Sequence, residues 1–204
     1  MGKNVDRCLA HWLDDGNEYF RQILEGDIHS FNQKSAGLET RDQAKTFIYS
    51  LIFGGGDLLI GKIVGGNSKD GKKLKAEFDR AVPAFKSLKR ELARAYKAKG
   101  YIKGLDGRKL YVRSEHKLLS QLLQSTGAII SKKWVQKVDQ LITKEKLDAR
   151  ICGFIHDEIQ IRTLNKEAEY VGDISRRMAK EAGNYWKMQI SAGSTIGSSW
   201  ADTH

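Results

Sequence analysis

The sequence predicts an α+β fold, in which helices are joined by two short β-hairpins. Two observations support this prediction. Most of the chain carries apolar residues at helical spacing, and two segments, near residues 106 and 157, have strand-like runs on both sides of a tight turn. Helices with segregated hairpins are typical of the α+β class. At 204 residues, 40% of them hydrophobic, the chain can bury a sizeable core in one large domain or two small ones.

The first half of the chain is predicted to be helical. Residues 8–26 have helical spacing that is broken near the middle by an Asp-Asp-Gly stretch. Residues 40–53 should form a helix, because Thr40 and Gln43 fit a capping box and three glycines follow, where the backbone is free to turn. Three more helices are expected over 57–64, 74–82 and 84–100, with a loop over 65–73 and a break at Pro83.

The second half is predicted to alternate hairpins with helices. A hairpin is expected over 101–112, with Asp106-Gly107 at its turn. A long helix, a second hairpin, a helix and a strand should then follow in that order, over about 116–143, 153–161, 166–182 and 185–191.

The chain is strongly basic, with 35 lysines and arginines against 25 acids and a net charge of +10. This excess suggests a polyanionic partner, although charge alone is weak evidence for nucleic acid. Cys8 and Cys152 are too few and too far apart in sequence for a zinc motif. No signal peptide is evident and no apolar run reaches the roughly 20 residues that span a bilayer. We therefore expect a cytoplasmic protein with no membrane association.

One segment imitates a nucleotide-binding motif. Residues 56–62 fit the phosphate-loop pattern G-x-x-x-x-G-K. A phosphate loop needs a serine or threonine next, to hold magnesium, and a strand before it. Here Ile63 follows and a helix precedes, so the sequence does not support an NTPase.

The helix over 40–53 carries the clearest candidate site for a phosphate chain. Four side chains recur every four positions and form a stripe on one face: Arg41, Lys45, Tyr49 and Phe53. The two cations lie in the first turns, where the helix dipole is positive and backbone N–H groups are free. The two aromatics offer a platform for a base or a sugar. The alternative is a solvated basic edge with aromatics packed in the core.

Two further segments hold polar residues that could meet a ligand. Ser120 and Gln124 share a face of the long helix, with His116 one turn earlier, although the ordinary polar face of a helix is the simpler explanation. Asp157 lies at the turn of the second hairpin and projects a carboxylate from a rigid platform, as a hard divalent metal requires. Acidic residues also occupy turns to bond the backbone.

Together these pieces resemble the family A DNA polymerases. "RDQAKTFIYSLIFGG" is similar to that family's fingers helix, Arg-x3-Lys-x3-Phe/Tyr-x3-Tyr-Gly, and "IHDE" is similar to its His-Asp-Glu hairpin in the palm. "GDIHS" and "LQSTGA" fall in the expected order around them. The similarity runs from about residue 7 to 204 and is strongest to the replicative polymerases of short-tailed phages. It implies helical fingers over 21–105 and a partial palm with a short antiparallel sheet over 1–20 and 106–204.

The resemblance implies nucleotide-binding roles for five residues. Arg41 and Lys45 would contact the triphosphate of the incoming dNTP, and His29 would lie beside it. The alternative for His29 is a purely structural histidine, whose ring nitrogens are hydrogen-bonded within the core. Tyr49 would lie against the sugar and the base, and Phe53 would lie at the end that meets the templating base.

The resemblance also implies contacts with DNA and with metal. It assigns contacts with the primer–template to Gln124, Ser120, His116 and His156. Gln124 would read the minor groove, and His156 would pack near the primer end. Asp157 would be one of two aspartates that bind the Mg²⁺ pair, and Glu158 would be its acidic neighbour. With Lys45, these two acids are the candidate catalytic residues.

The sequence departs from the family's pattern at several positions. Phe53 stands where tyrosine is usual, and Ser120 replaces an asparagine. The family's first palm motif runs Asp-x-Ser-x-x-Glu-x-Arg, and Arg7 matches its last residue. Its metal-binding aspartate would therefore fall before the first residue, and Val5 takes the place of its glutamate. Asp6 is one residue out of register, and in a strand it would face the other way.

Two classes of function remain open. In the first, the chain is the C-terminal fingers and palm part of a split or truncated DNA-directed DNA polymerase, which adds dNTPs to a primer 3′ end with Mg²⁺. A second polypeptide would supply the first aspartate, the thumb and any exonuclease. In the second, the chain is a non-catalytic relic or accessory protein that binds nucleotide or primer–template DNA. The intact set of His29, Arg41, Lys45 and Tyr49 favours the first class, and the missing aspartate favours the second. A fragment made for structural work would show the same residues.

Overall fold

The computed structural model describes residues 2–186 and 188–203, with side chains from residue 5 onward. Their helices, in chain order, are α1 (Gly2–Trp12), α2 (Glu18–Leu24), α3 (Ile28–Ala36), α4 (Arg41–Ile52), α5 (Asp57–Lys62), α6 (Ser68–Ala81), α7 (Pro83–Lys99), α8 (Leu118–Glu145), α9 (Ala168–Asn184) and α10 (Trp200–Thr203). Their strands are β1 (Ile102–Lys103), β2 (Lys109–Leu110), β3 (Ala149–Ile155) and β4 (Glu158–Thr163). The mostly helical α+β class is confirmed, with two separate antiparallel hairpins, β1–β2 and β3–β4.

The chain folds as two compact units. One comprises residues 8–125, and the other comprises the residues up to Arg7 together with those from Thr126 onward. Residues 2–7 are the first turns of α1, and Thr126 lies within α8, so each of these helices begins in one unit and ends in the other. The subdomain bounds implied by the resemblance, 1–20, 21–105 and 106–204, stay a prediction.

The unit of residues 8–125 has an aromatic core formed by α4, α6 and α7. Phe47 and Phe78 meet edge to face with their ring centroids 5.5 Å apart, and Phe78 meets Phe85 at 5.3 Å. All three side chains are fully buried. Such pairs add roughly 1 kcal/mol each beyond the area that they bury. This core anchors the buried face of α4 and leaves its other face available.

Helices α5 and α6 approach each other through glycine. A Cβ built on Gly71 would overlap the carbonyl oxygen of Asp57, and one built on Gly61 would overlap the carbonyl oxygen of Asn67. Both glycines are buried. The two backbones are therefore in direct contact, which no larger residue at these positions would permit. From α6, Lys75 reaches back to the carbonyl oxygen of Gly55 at 2.8 Å and ties the glycine-rich loop after α4 to this pair.

The other unit packs α8 and α9 over the β3–β4 hairpin. Its core includes Trp134, Val138 and Ile142 of α8 and Ile174 and Met178 of α9. The indole Nε1 of Trp134 donates to the carbonyl oxygen of Ser175 at 2.8 Å, so the polar atom of this buried ring is satisfied. Ile151, Ile159 and Ile161 of the hairpin pack against the same core. The strands of the hairpin are thus packed against the core formed by α8 and α9, while the turn between them lies at the surface.

Three of the expected local structures are wrong. Residues 65–73 are not a loop, because Asn67 and Asp70 form a second capping box and α6 begins at Ser68. No strand is found over the described part of 185–191. The backbone N–H groups of Trp186 and Met188 bond to Gly183 at the end of α9, not to a neighbouring strand. Lys187 lies outside the described residues. The stretch before Arg7 is helical from residue 2, so the strand alternation expected to turn Asp6 to the opposite face does not apply.

Candidate active site

The start of α4 is built by an exact match to the predicted capping signal. The hydroxyl of Thr40 accepts from the backbone N–H of Gln43 at 3.2 Å, and the side chain of Gln43 accepts from the N–H of Thr40 at 3.1 Å. These bonds satisfy donors that a helix N-terminus leaves unpaired. Arg41 therefore occupies the first helical position and Lys45 lies one turn later, both exposed to solvent. Two cations on the outer face of a helix N-terminus form a site attractive to anions.

Arg41 makes a two-point ion pair with Asp27. Its Nε donates to one carboxylate oxygen at 2.6 Å, and its Nη2 donates to the other at 3.1 Å. Asp27 also caps α3 by accepting from the backbone N–H of His29 at 3.1 Å. Hydrogen bonds from Arg41 first, and from Ser30 and His29 after it, hold the pKa of Asp27 far below its usual range. The carboxylate is therefore charged at any pH near neutrality.

His29 lies close to the positive charges of Arg41 and Lys45. Burial lowers the pKa of its imidazole, and the positive charges of Arg41 and Lys45 lower it further, against the opposing charge of Asp27. At neutral pH the ring is therefore mainly uncharged. Its Nδ1 is shielded from solvent and has no hydrogen-bond partner among the described residues. A buried ring nitrogen without a partner does not fit the simple alternative of a satisfied core histidine.

The far end of α4 passes from Tyr49 to a glycine turn. Tyr49 is half-buried, and Phe53, the C-cap residue, keeps 49% of its surface exposed. Gly54 has φ of 81°, and a Cβ there would overlap the carbonyl oxygen of His116. Only glycine combines this left-handed conformation with so close an approach. The backbone of His116 is thereby brought to the residue that follows Phe53.

Ser120 and Gln124 lie in the first turns of α8 but differ in exposure. Ser120 is buried, and its hydroxyl donates to the carbonyl oxygen of Lys117 at 3.0 Å, which is the ordinary structural use of serine in a helix. Gln124 and His116 are exposed. Of these three predicted contacts with the primer–template, Gln124 and His116 thus present side chains to solvent and Ser120 does not.

The predicted hairpin over 153–161 is present, and its turn consists of two residues. Ile155 pairs with Glu158, so His156 and Asp157 form the turn between β3 and β4. His156 has φ of 56°, a left-handed conformation that costs a non-glycine residue roughly 1 kcal/mol. Asp157 is half-buried, and Glu158 begins β4 and accepts a hydrogen bond from the side chain of Gln160. A strained turn on a packed hairpin is the kind of platform on which functional residues are found.

The carboxylate of Asp157 has the chemistry of a magnesium ligand, since Mg²⁺ prefers oxygen donors. One carboxylate is only part of a site, however. Among the described side chains, no group of three or more His, Cys, Asp or Glu is arranged to hold a metal ion. Asp157 belongs to the α8–α9 unit, whereas His29, Arg41 and Lys45 belong to residues 8–125. The predicted site residues therefore form two sets, one on each unit.

Asp6 is a buried acid. Only 2% of its surface is exposed, and its Oδ1 has no hydrogen-bond partner among the described residues. Burial raises the pKa of its carboxyl from 3.8 to about 6. The folded chain therefore holds the proton of the Asp6 carboxyl more tightly than the unfolded chain does. Below about pH 4 the carboxyl is protonated in both states, and its ionisation takes nothing from the free energy of unfolding. Its cost grows between about pH 4 and pH 6 and levels off above that, at no more than about 3 kcal/mol.

Replacing Asp6 by asparagine should therefore stabilise the protein at neutral pH. The expected gain in the free energy of unfolding is about 1 to 3 kcal/mol at pH 7, and it should vanish towards pH 4. Urea unfolding of both proteins at several pH values between 4 and 7 measures it. Asp139→Asn, which removes an exposed acid of α8, should show no such pH dependence. A constant difference between Asp6→Asn and the parent at all pH values would contradict the assigned cause.

Comparison with known proteins shows which family the chain is related to. Residues 6–202 match the model of DNA polymerase family A. The chain belongs to this family. It is 37% identical to the DNA-directed DNA polymerases of Enterobacteria phage T3 and Escherichia phage T7, over 97% of its own length and 32% of theirs. The DNA-directed DNA polymerase of Escherichia phage Phieco32 is also 37% identical, over 89% of this chain and 31% of that protein. The chain thus spans about a third of the length of these family A polymerases.

A solved family A structure shares the fold. The POL domain of Pol1 from M. smegmatis, in complex with DNA primer-template and dNTP, aligns with a TM-score of 0.76 and 21% identity. The alignment covers 87% of this chain and 35% of that one. The resemblance inferred from "RDQAKTFIYSLIFGG" and "IHDE" is therefore confirmed at the level of family and fold. In the described residues, no helix is long and apolar enough to cross a membrane.

Sequence reasoning missed Asp27 as a partner of Arg41. A signal was available, because Asp27 stands two residues before His29 at a position that suits a helix N-cap. Its bond to Arg41 joins residues 14 apart in sequence, and no local pattern predicts such a pair. Lys75, which fixes the glycine loop after α4, was missed for the same reason.

Proposed function

We propose that this chain forms the fingers and part of the palm of a DNA-directed DNA polymerase, which adds dNTPs to the 3′ end of a primer. The observation that carries the proposal is the cluster at the start of α4, where exposed Arg41 and Lys45 flank His29. A helix N-terminus with two cations suits a triphosphate better than it suits any neutral ligand. Family membership supports the reaction class.

In this function, the residues of α4 would capture the nucleotide. Arg41 and Lys45 would bind the oxygens of the triphosphate, and uncharged His29 would offer a ring nitrogen to the same chain. Tyr49 would then lie against the sugar and the base, one turn beyond Lys45. Phe53 would meet the templating base with its exposed ring. This order along one helix face orients the nucleotide from phosphate to base.

The primer–template would contact exposed side chains of this strongly basic chain. Gln124 is the exposed candidate for contact with the minor groove, His116 is a second exposed candidate for contact with DNA, and His156 is the candidate near the primer end. Ser120 is a weaker candidate, because its hydroxyl already bonds within α8. Lysines and arginines that neutralise phosphates make affinity fall steeply with salt. We therefore propose weak, salt-sensitive binding of DNA with little sequence preference.

Asp157 would hold Mg²⁺, which on binding supplies charge stabilisation for phosphoryl transfer. Glu158 would support the acidic character of this turn. Residues 1–204 contain no match to the aspartate of the first palm motif. In our proposal it comes from outside these residues, on a longer chain or on a second polypeptide that would also carry the thumb. Since relatives are phage enzymes, the proposed setting is the cytoplasm of an infected bacterium.

The second candidate function is a non-catalytic protein that binds nucleotide or primer–template DNA. It is favoured by Val5, which stands where the family's first palm motif has a glutamate. The two candidates share the nucleotide-binding cluster and differ only in whether a complete assembly performs synthesis.

Replacing Lys45 by alanine tests the nucleotide-binding cluster. Loss of a charge-assisted contact should weaken binding of dATP roughly tenfold or more, while the affinity for primer–template DNA should change less than about twofold. Calorimetry for the nucleotide and fluorescence anisotropy for the DNA measure the two affinities. Lys69→Ala, which removes an exposed lysine from the first turn of α6, serves as the charge control. Equal effects of the two substitutions on dATP binding would show that α4 is not the nucleotide site.

A further inference from the structure

The guanidinium of Arg41 is held along one edge only. Its Nε and Nη2 donate to Asp27, whereas no hydrogen bond joins Nη1 to any described residue. A guanidinium carries five N–H donors in a rigid fork, and a carboxylate on one edge leaves the other edge available. That second edge has the spacing that binds two oxygens of a phosphate.

Asp27 is itself fixed in place by α3. It is the N-cap residue, and its oxygens accept from the backbone N–H of His29 at 3.1 Å and from the hydroxyl of Ser30 at 2.9 Å. A carboxylate with four donors has little freedom to rotate. Arg41, bonded to it at two points, is therefore held relative to the rigid ends of two helices, α3 and α4.

We propose that Asp27 is a positioning residue for the triphosphate, which fixes Arg41 so that the free edge of its guanidinium faces the phosphate chain. This inference rests on the proposed function and deepens it. A long, flexible arginine loses rotamer freedom when it binds an anion. An arginine that is already ordered loses less, and the saving appears as affinity.

The charge of Asp27 has an opposing effect on the same ligand. A negative carboxylate near the site repels a triphosphate and neutralises part of the charge of Arg41. The pair is exposed, with about half of each side chain accessible, so water and salt weaken this repulsion. The ordering of Arg41 is not screened in this way. The sign of the change on removing the charge therefore separates positioning from competition.

Asp27→Asn is the decisive variant, because asparagine caps a helix as well as aspartate does but carries no charge. We expect it to weaken the binding of inorganic tripolyphosphate and of dATP by about three- to tenfold, measured by calorimetry on the full chain. In an Arg41→Ala background, Asp27→Asn should cause no further loss, since a residue that acts through Arg41 has nothing left to position.

Asp106→Asn is the matched control. Asp106 also receives a guanidinium, from Arg108, at 2.6 to 2.9 Å, and also lies in the unit of residues 8–125. Its substitution removes the same charge from the same kind of pair at a hairpin turn. The affinity for tripolyphosphate should change less than about twofold.

A second measurement needs no substitution. In the NMR spectrum of the parent chain, the Nε–H of Arg41 should stay hydrogen-bonded when tripolyphosphate is added, because Asp27 keeps its edge of the guanidinium. Loss of that bond on adding the ligand would overturn the inference.

Other outcomes also decide the matter. Tighter binding by Asp27→Asn would make Asp27 a competitor and overturn the inference, as would equal losses with and without Arg41. Unchanged binding by Asp27→Asn, together with a loss in Arg41→Ala, would overturn the positioning role of Asp27 and leave the proposed nucleotide site standing. Unchanged binding in Arg41→Ala would refute the proposed nucleotide site itself.

Discussion

Replacing Asp157 by alanine should abolish primer extension by an assembly that contains this chain and the first palm motif of a family A polymerase. The expected loss is at least about a thousandfold, because preorganised electrostatic stabilisation is usually the largest single catalytic term and a metal ligand is part of it. Assembly and DNA binding should persist, since Asp157 lies in a surface turn and its carboxylate is not part of the core formed by α8 and α9. Primer extension with Mg²⁺ measures the activity.

Glu158→Ala is the matched control for Asp157. The two acids are adjacent, but Glu158 begins β4 and bonds to Gln160 in its own strand. Its replacement should therefore be milder, with a loss of roughly tenfold or less. A larger loss in Glu158→Ala than in Asp157→Ala would show that the metal-binding register at this turn is wrong.

The chain by itself provides the complementary measurement. Under the proposed function, residues 1–204 alone should not extend a primer, and addition of a polypeptide that ends in the family's first palm strand should restore synthesis. Extension by the chain alone that disappears in Asp157→Ala would mean that another acid, such as Asp6 or Glu158, completes the site. Absence of extension with a folded partner would favour the non-catalytic function.

Local signals in the sequence predicted local structure well. The start of α4 was predicted from Thr40 and Gln43, and both bonds of that capping box are present. Asp106-Gly107 predicted the β1–β2 turn, where Gly107 has φ of 81°. Each of these signals acts within four residues, so the neighbouring sequence is sufficient to fix the geometry.

The failures arose where a distant contact decides the structure. Residues 188–191 have the composition of a strand, but the backbone N–H of Met188 bonds to Gly183 at the end of α9, and the described part of 185–191 forms no strand. The bond from Arg41 to Asp27 and the reach of Lys75 to Gly55 join different helices. These pairings follow from packing, which a local pattern does not contain.

The missed start of α6 has a different cause. Asn67 and Asp70 form a capping box whose third position is aspartate, whereas the usual signature has serine or threonine followed by glutamate or glutamine. Two glycines precede Asn67 and a third stands at position 71, and glycine weakens a helix. Gly71 is in the helix because α5 passes against it and leaves no room for a side chain.

Replacing Gly71 by alanine should destabilise the unit of residues 8–125 severely. In a free helix, alanine is better than glycine by roughly 1 kcal/mol. Here the new methyl group would overlap the carbonyl oxygen of Asp57, which is backbone and has no rotamer to move away. Helix α5 would have to separate from α6, and we expect a loss of about 3 kcal/mol or more in the free energy of unfolding. Urea unfolding followed by circular dichroism measures the loss.

Gly56→Ala is the control for Gly71→Ala. Gly56 has an ordinary φ of −68°, and a Cβ there meets nothing within 4 Å. Its replacement should change the free energy of unfolding by less than about 1 kcal/mol.

Gly61→Ala should resemble Gly71→Ala, and the double substitution should cost less than the two losses together, because either methyl group already separates the helices. Full additivity would show that the two glycines act at independent contacts, and a Gly71→Ala protein as stable as Gly56→Ala would contradict the close approach of α5 and α6. Loss of the contact between α5 and α6 should also disturb the proposed nucleotide site, because Lys75 of α6 holds the carbonyl oxygen of Gly55 just beyond α4. Binding of dATP by Gly71→Ala should therefore weaken even at temperatures where the protein is still folded.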